Sequence, residues 1–148
     1  MIADDVNPRA RAMLQAIVTG ETPYPPMWET VPVRLLGARR GQVTMETTAD
    51  ARHINALGTV HGGFAATVLD TVLGLAIYTA IAEHERHATV DLAVKIVKRI
   101  PLARPLIVSA DLVHVSAAIG VSQGTLRDAD GTVYAHGTTT CVVQPRRT

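Results

Sequence analysis

The sequence predicts an α+β fold in which one antiparallel sheet wraps around one long apolar helix. Residues 62–82 are apolar on every side of a helix, as expected for a helix at the centre of a protein. The segments before and after them alternate apolar and polar residues, as half-buried strands do. The pattern indicates no further helix after residue 82, so one sheet around one helix buries the apolar faces of both.

The order of elements follows from capping residues, periodicity and turn signals. Asn7 and Pro8 suit the start of a helix, Gly20 suits its end, and residues 128–131 suit a hairpin turn. In the first strand after the central helix, alternation places Val90, Leu92, Val94 and Ile96 on one face. The predicted elements are a helix from Asn7 to Gly20, a Pro-broken loop at 22–28, a hairpin from Val31 to Thr47, the helix at 62–82, a polar loop after it, and strands at 89–98, 105–116, 120–127 and 132–143.

Length and composition favour one domain of 148 residues that needs neither disulfide nor metal, because 47% of its residues are hydrophobic. The single Cys141 cannot form an internal disulfide, and the N-terminus lacks the apolar run of a secretory signal. We therefore expect a cytoplasmic location.

Two kinds of partner are disfavoured by the charges. There are 14 Lys and Arg against 13 Asp and Glu, and aromatic residues make up 3%, which disfavours a nucleic-acid partner. Residues 64–82 approach the spanning length of about 20 residues, but they contain Asp70 and lack a basic flank. We expect no nucleic acid and no membrane.

Asp70 is the main candidate for a functional residue, because it is the only ionisable carboxylate of the apolar helix. A carboxylate there either finds partners or faces a cleft, since its burial alone is costly. Its helical neighbours Gly63, Ala66, Thr67 and Gly74 are small, and they leave room for a ligand or a second backbone. The alternative is a structural Asp bonded to backbone or to a hydroxyl.

The approach to this helix adds a second signal. His61, Gly62 and Gly63 stand where the first helical N–H groups have no partner within the helix. Glycine lets a ligand come close to that backbone, and the partial positive charge there suits a developing oxyanion. Asn55 and His61 supply further polar groups. The glycines can equally serve only as a turn and a cap.

Three weaker patterns accompany these signals in the sequence. Residues 120–124 match the G-x-S-x-G string, but strand rather than helix follows, so we interpret the match as chance. His84 and His87 lack companion ligands, which favours a solvated loop over a metal site, and no metal or cofactor is expected. Lys98, Arg99 and Arg104, close to Lys95, either meet the phosphates of a nucleotide-bearing ligand or form a solvated strand end.

Three segments carry a resemblance to a known family. HINALGTVHGGFAATVLDTVLGLA, ATVDLAVKIVKRIP and DADGTVYAHGTTTCVV resemble the hotdog-fold thioesterases of the phenylacetate-degradation (PaaI-like) type, in the 4-hydroxybenzoyl-CoA thioesterase superfamily. The resemblance covers about residues 28–144, the hotdog core, and leaves residues 1–27 as an N-terminal helix and Pro-rich loop.

The resemblance implies hydrolysis of a small aromatic or short-to-medium acyl-CoA without a cofactor. It implies that Asp70 is the nucleophile or general base and that Asn55 and His61 position the thioester or water. The Gly62 backbone N–H would polarise the carbonyl, and the Thr89 hydroxyl would assist. The family site is built across a homodimer interface, often within a tetramer, so a homodimer or a dimer of dimers is expected.

Two other functions fit the same fold. A hotdog enoyl-CoA hydratase places its Asp a few residues before a His, whereas His61 precedes Asp70 here. A non-catalytic acyl-CoA-binding hotdog protein is the second alternative, and the sequence leaves it open.

Overall fold

The structure, a computed structural model, describes residues 1–147. The helices are α1 (Pro8–Thr19), α2 (Pro26–Thr30) and α3 (Gly62–Tyr78), and a short 3-10 turn spans Ala51–His53. The strands are β1 (Val33–Arg39), β2 (Gln42–Thr47), β3 (Glu85–Ile96), β4 (Leu106–Val115), β5 (Ile119–Arg127) and β6 (Val133–Pro145).

The six strands form one antiparallel sheet in the order β1-β2-β4-β5-β6-β3. Helix α3 packs on one face of this sheet, and its side chains there are the centre of the core. The predicted α+β hotdog arrangement with an extra N-terminal helix is therefore confirmed. The fully buried side chains of α3 include Ala65, Val68, Leu69, Val72, Leu73, Ala76 and Ile77.

Helix α3 is shorter than the predicted span of 62–82, because other elements bind its last residues. The Thr79 hydroxyl donates to the Ala76 carbonyl at 2.7 Å and accepts from the Gly41 amide at 2.8 Å. The Asn7 amide donates to the Thr79 carbonyl at 3.1 Å. Asn7 also caps α1, as predicted, and Gly20 ends α1 at a φ of 78°. Hydrogen bonds from Asn7, just before α1, and from Gly41, in the β1–β2 turn, thus bind Thr79, the residue that follows α3.

Two predictions about irregular segments were wrong. The Pro-rich stretch at 22–28 was expected to be a loop, but its last residues begin α2, where Pro26 occupies the first turn and Val31 N donates to Met27 O at 2.9 Å. The polar segment after α3 was also expected to be a loop, whereas β3 begins at Glu85. Its polarity follows from its place, because β3 is an edge strand that pairs only with β6.

Candidate active site

Asp70 lies on α3 where the helix faces β3, and it is half-buried. The Thr89 hydroxyl donates to Asp70 Oδ1 at 2.9 Å. Among residues 1–147, no group donates a hydrogen bond to Asp70 Oδ2. The carboxylate is thus held by one oxygen, while the other is available to a ligand.

Thr89 reaches Asp70 because of a β-bulge at Val90. Thr89 pairs with Cys141 of β6 and Asp91 with Thr140, so Val90 is an extra residue without a partner. Opposite residues of an antiparallel pair share a face, and the extra residue lets Thr89 and Leu92 both face α3. The prediction that Val90 shares the face of Leu92 was wrong, and the Val90 side chain is 61% exposed.

The N-terminus of α3 presents an open backbone amide. His61 is the N-cap residue, and its Nδ1 accepts from the Gly63 amide at 2.8 Å. A Cβ at Gly62 would stand 2.9 Å from Ile96 Cδ1, so the helix start packs closely against the end of β3. Among residues 1–147, no group accepts a hydrogen bond from the Gly62 amide. The amide can therefore donate to a ligand atom.

Asn55 shapes the loop that leads to this amide. Its Oδ1 accepts from the Leu57 amide at 2.9 Å and the Thr59 amide at 3.1 Å, and its Nδ2 donates to the Thr59 hydroxyl at 2.9 Å. Gly58 takes the left-handed conformation in this turn, with a φ of 76°. Both polar atoms of the Asn55 side chain thus form hydrogen bonds with residues of its own loop.

The predicted site residues form two groups on α3. Gly62 and Asp70 are eight residues apart, which is about 12 Å along a helix. Gly63 and Thr67 lie between them, and the Thr67 hydroxyl donates to the Gly63 carbonyl at 2.9 Å. Within residues 1–147, the structure brings Thr89 to Asp70 but leaves His61 and Gly62 at the other end of this face.

The three predicted basic residues have different surroundings. Arg99 lines a cavity of about 320 Å³ together with Ile54 and Gly58 of the loop before α3. Lys98 Nζ lies 5.9 Å from the centre of the Tyr134 ring.

Arg104 does not join them. It lies 3.3 Å from Asp128 Oδ2 and 3.4 Å from Asp130 Oδ2. Substrate binding by Arg104 stays a prediction, and the two carboxylates of the β5–β6 turn beside its guanidinium favour the solvated alternative.

Three residues around Thr89 and the end of α3 were missed by the sequence analysis, namely His87, Tyr78 and Cys141. His87, expected in a solvated loop, lies in β3 and stacks on Tyr78, with ring centres 5.4 Å apart. Cys141 is fully buried, and its Sγ lies 3.7 Å from the Thr89 hydroxyl. Burial raises the pKa of the Cys141 thiol above its usual value. These residues could have been placed near Thr89 if the pairing of β3 with β6 had been known, but the sequence alone does not reveal that pairing.

The other patterns lie apart from Asp70. Ser122 of the G-x-S-x-G string is buried in β5 and donates to the Leu73 carbonyl at 2.9 Å, which agrees with its interpretation as chance. Across residues 1–147, no three His, Cys, Asp or Glu side chains gather as a group that could hold a metal ion. None of the helices in the same range is long and apolar enough to cross a membrane.

The family model described as "Thioesterase superfamily" matches residues 57–135, which is more than half of the chain. The chain belongs to that superfamily. The expectation of a hotdog protein related to thioester hydrolases is thus confirmed at the level of the family.

Individual relatives agree with this assignment. A Halobacterium salinarum protein named as an esterase is 40% identical over 68 residues, which are 45% of this chain and 44% of that protein. The match therefore spans less than half the length of that relative. Human acyl-coenzyme A thioesterase 13 is 27% identical over 109 residues, which are 71% of this chain and 75% of that protein.

Solved structures share the fold. A phenylacetic acid degradation-related protein of Ralstonia eutropha JMP134 superposes with a TM-score of 0.77 at 22% identity, over 87% of this chain and 98% of the other. A Streptococcus pneumoniae TIGR4 thioesterase protein with coenzyme A superposes with a TM-score of 0.70 at 22% identity, over 78% of this chain and 88% of the other.

Proposed function

We propose that the protein hydrolyses the thioester bond of a small aromatic or short-to-medium acyl-CoA, with Asp70 as general base or nucleophile. The observation that carries this proposal is the Asp70 carboxylate itself. Thr89 holds one of its oxygens at 2.9 Å, and the other has no protein partner among residues 1–147. A half-buried carboxylate fixed in this way can take a proton from water or attack the thioester carbonyl.

The Gly62 amide is the proposed donor to the oxyanion. When water or the carboxylate attacks the thioester carbon, negative charge develops on the carbonyl oxygen. A backbone N–H at a helix N-terminus stabilises that charge, and the Gly62 N–H has no acceptor within residues 1–147. After attack by water, the C–S bond breaks and the leaving thiolate takes the proton that Asp70 accepted from the water. After attack by the carboxylate, the C–S bond breaks to leave a thiolate, which is protonated from water, and an anhydride on Asp70, which a second water hydrolyses to the free acid and the carboxylate.

One copy of the chain does not present both groups to one carbonyl. Gly62 and Asp70 are about 12 Å apart along α3, whereas a donor and a base must each lie about 3 Å from the reacting atoms. A second copy that brings its own Gly62 near Asp70 would remove this difficulty. The free edge of β3 and the exposed Val90 are available for such pairing. We therefore include a homodimer, or a dimer of dimers, in the proposal.

The coenzyme A part of the substrate is proposed to pass the cavity at Arg99. This cavity of about 320 Å³ adjoins the Asn55 loop and so the N-terminus of α3, and Arg99 and Lys98 add positive charge for phosphate groups. The Streptococcus pneumoniae relative with coenzyme A supports this class of ligand.

The test of the activity is a substrate panel. Purified protein is assayed for release of free thiol from phenylacetyl-CoA, hydroxybenzoyl-CoA, and short- and long-chain acyl-CoA. We expect turnover of at least one aromatic or short-to-medium substrate, and an equal rate for Asp111→Asn, a control carboxylate exposed on β4. Binding without turnover of any substrate would favour the non-catalytic alternative.

The shared site has its own test. Asp70→Asn and Gly62→Pro each remove one half of the site, since Pro has no N–H to donate. If the halves come from different copies, mixing the two inactive variants by unfolding and refolding should restore about a quarter of wild-type activity. No recovery from a properly refolded mixture would contradict a site shared between copies.

A further inference from the structure

His87 is the residue that the proposed reaction leaves without a role. It lies on the face of β3 that is turned towards α3, opposite Val143 of β6 and two residues before Thr89. Its ring stacks on Tyr78 at an interplanar angle of 27°. The β3 edge and the end of α3 thus fix the imidazole on the side of α3 that carries Asp70, two residues before the Thr89 that binds Asp70.

The ring occupies space left by Gly74. A Cβ at Gly74 would stand 3.4 Å from His87 Nε2. Gly74 follows Asp70 by one helical turn, about 5.4 Å. Among residues 1–147, neither ring nitrogen of His87 has a hydrogen-bond partner. The imidazole is therefore free to gain a proton about one helical turn from Asp70.

The ionisable groups around His87 come from three elements. Asp70 and Tyr78 face it from α3, Cys141 lies further along the same face on β6, and Glu85 precedes it on β3. Burial lowers the pKa of His87 below its usual value, and the charge of Asp70 opposes that shift in part. The imidazole is thus neutral near neutral pH and gains its charge only in acid.

We propose that His87 is a pH-sensitive neighbour of Asp70, neutral in the working enzyme, whose protonation adds a cation on the same side of α3 and weakens the carboxylate as base or nucleophile. This inference rests on the proposed function of Asp70. A cation about one helical turn from the carboxylate stabilises its ionised form, and a carboxylate stabilised in that way takes up a proton or attacks a carbonyl less readily. Activity should then fall in acid as His87 becomes charged.

The first test does not depend on activity. The imidazole signals of the six histidines are titrated by NMR in wild type and in Asp70→Asn, and the His87 signal is assigned by its loss in His87→Phe. We expect His87 to titrate below its ordinary value of about 6.5, and at a still lower pH in Asp70→Asn, because the carboxylate charge is gone. Equal midpoints in the two proteins would overturn the proposal.

The second test uses the pH dependence of kcat. His87→Phe keeps a ring to stack on Tyr78, and His87→Gln keeps a polar side chain, but neither can become charged. Near pH 8, both variants should keep kcat within about threefold of the wild-type value. Between pH 8 and pH 5.5, kcat of wild type should fall by a factor at least three times the factor for either variant. If kcat fell identically with decreasing pH in wild type and in both variants, and their melting temperatures were equal, the role of His87 would be contradicted. If wild type hydrolyses no substrate, the proposed function fails, while the NMR result stands by itself.

Discussion

Two aspartates in this protein have opposite surroundings. Asp128, at the β5–β6 turn, is 4% exposed, and both its oxygens are bound. Its Oδ1 accepts from the amides of Asp130 and Thr132 at 3.0 and 2.9 Å, and its Oδ2 accepts from the Tyr134 hydroxyl at 3.0 Å. Asp70 is more exposed and accepts one hydrogen bond, from Thr89.

The difference separates a structural carboxylate from one available for chemistry. A carboxylate offers about four acceptor sites, and a structural one fills them because an unsatisfied buried acceptor costs free energy. Asp128 joins the turn to Tyr134 and Arg104 in this way. Asp70 has vacant acceptor sites in a half-buried position on an otherwise apolar helix.

Among substitutions of residues that bind the two carboxylates, Thr89→Val should have the largest effect, a fall in kcat. Valine has the shape of threonine but cannot donate to Asp70 Oδ1. A hydrogen bond to a charged group contributes about 1.5–3 kcal/mol, so kcat should fall about ten- to hundredfold if the bond orients the carboxylate in the transition state. Thr89→Ser keeps the hydroxyl and should retain most activity. Equal kcat values for the two variants would show that the hydroxyl is not needed.

Tyr134→Phe should produce the reverse pattern. The change removes the hydroxyl that donates to Asp128 Oδ2 and leaves that acceptor without its partner. The melting temperature should fall by several degrees, with kcat per folded molecule unchanged. Loss of kcat without loss of stability would mean that the turn takes part in the reaction.

The acid stability of the fold should depend on Asp128. Burial raises the pKa of Asp128, but the Thr132 amide, the Tyr134 hydroxyl and Arg104 outweigh burial and lower it below the usual value. The folded state therefore gains stability from the charge above the ordinary Asp value and loses it as the pH falls through the lower value. Wild type should be more stable than Asp128→Asn near neutral pH, and the difference should shrink as the pH falls below the ordinary Asp pKa of about 3.9 in thermal unfolding measurements. A difference that stays constant with pH would contradict this.

The smallest kinetic effect, a change in KM, is expected from the basic residues. Raising the ionic strength should raise KM for acyl-CoA a few-fold and leave kcat nearly constant, because exposed charge pairs are screened. Arg99→Gln should reduce this salt dependence, whereas Arg104→Gln should leave KM unchanged, since Arg104 is paired with Asp128 and Asp130. A salt-independent KM in wild type would assign Arg99 to the solvated surface.

The architecture and the central candidate were predictable from the sequence, because both rest on local pattern. One continuous apolar helix flanked by alternating segments predicted the sheet around α3, and an isolated carboxylate in that helix identified Asp70. The cap at Asn7 and the turn at residues 128–131 were predictable for the same reason. The assignment to one domain stays a prediction.

The features that could not be predicted depend on pairing between segments that are distant in the sequence. Strict alternation cannot reveal the extra residue Val90, although that residue turns Thr89 towards Asp70. The charge of Arg104 does not disclose that Asp128, 24 positions further along, engages it. His87 stands in a polar stretch that resembles a loop, because an edge strand carries many polar residues.

The most direct test of the account measures kcat and melting temperature for Asp70→Asn and Asp128→Asn in the same preparations. For Asp70→Asn we predict a fall in kcat of about 100-fold or more, because the base or nucleophile is lost, with an equal or higher melting temperature. For Asp128→Asn we predict an unchanged kcat per folded molecule and a lower melting temperature, because a filled set of hydrogen bonds is disrupted. An Asp70→Asn protein that melts early and turns over normally would show that Asp70 is structural and would contradict the account.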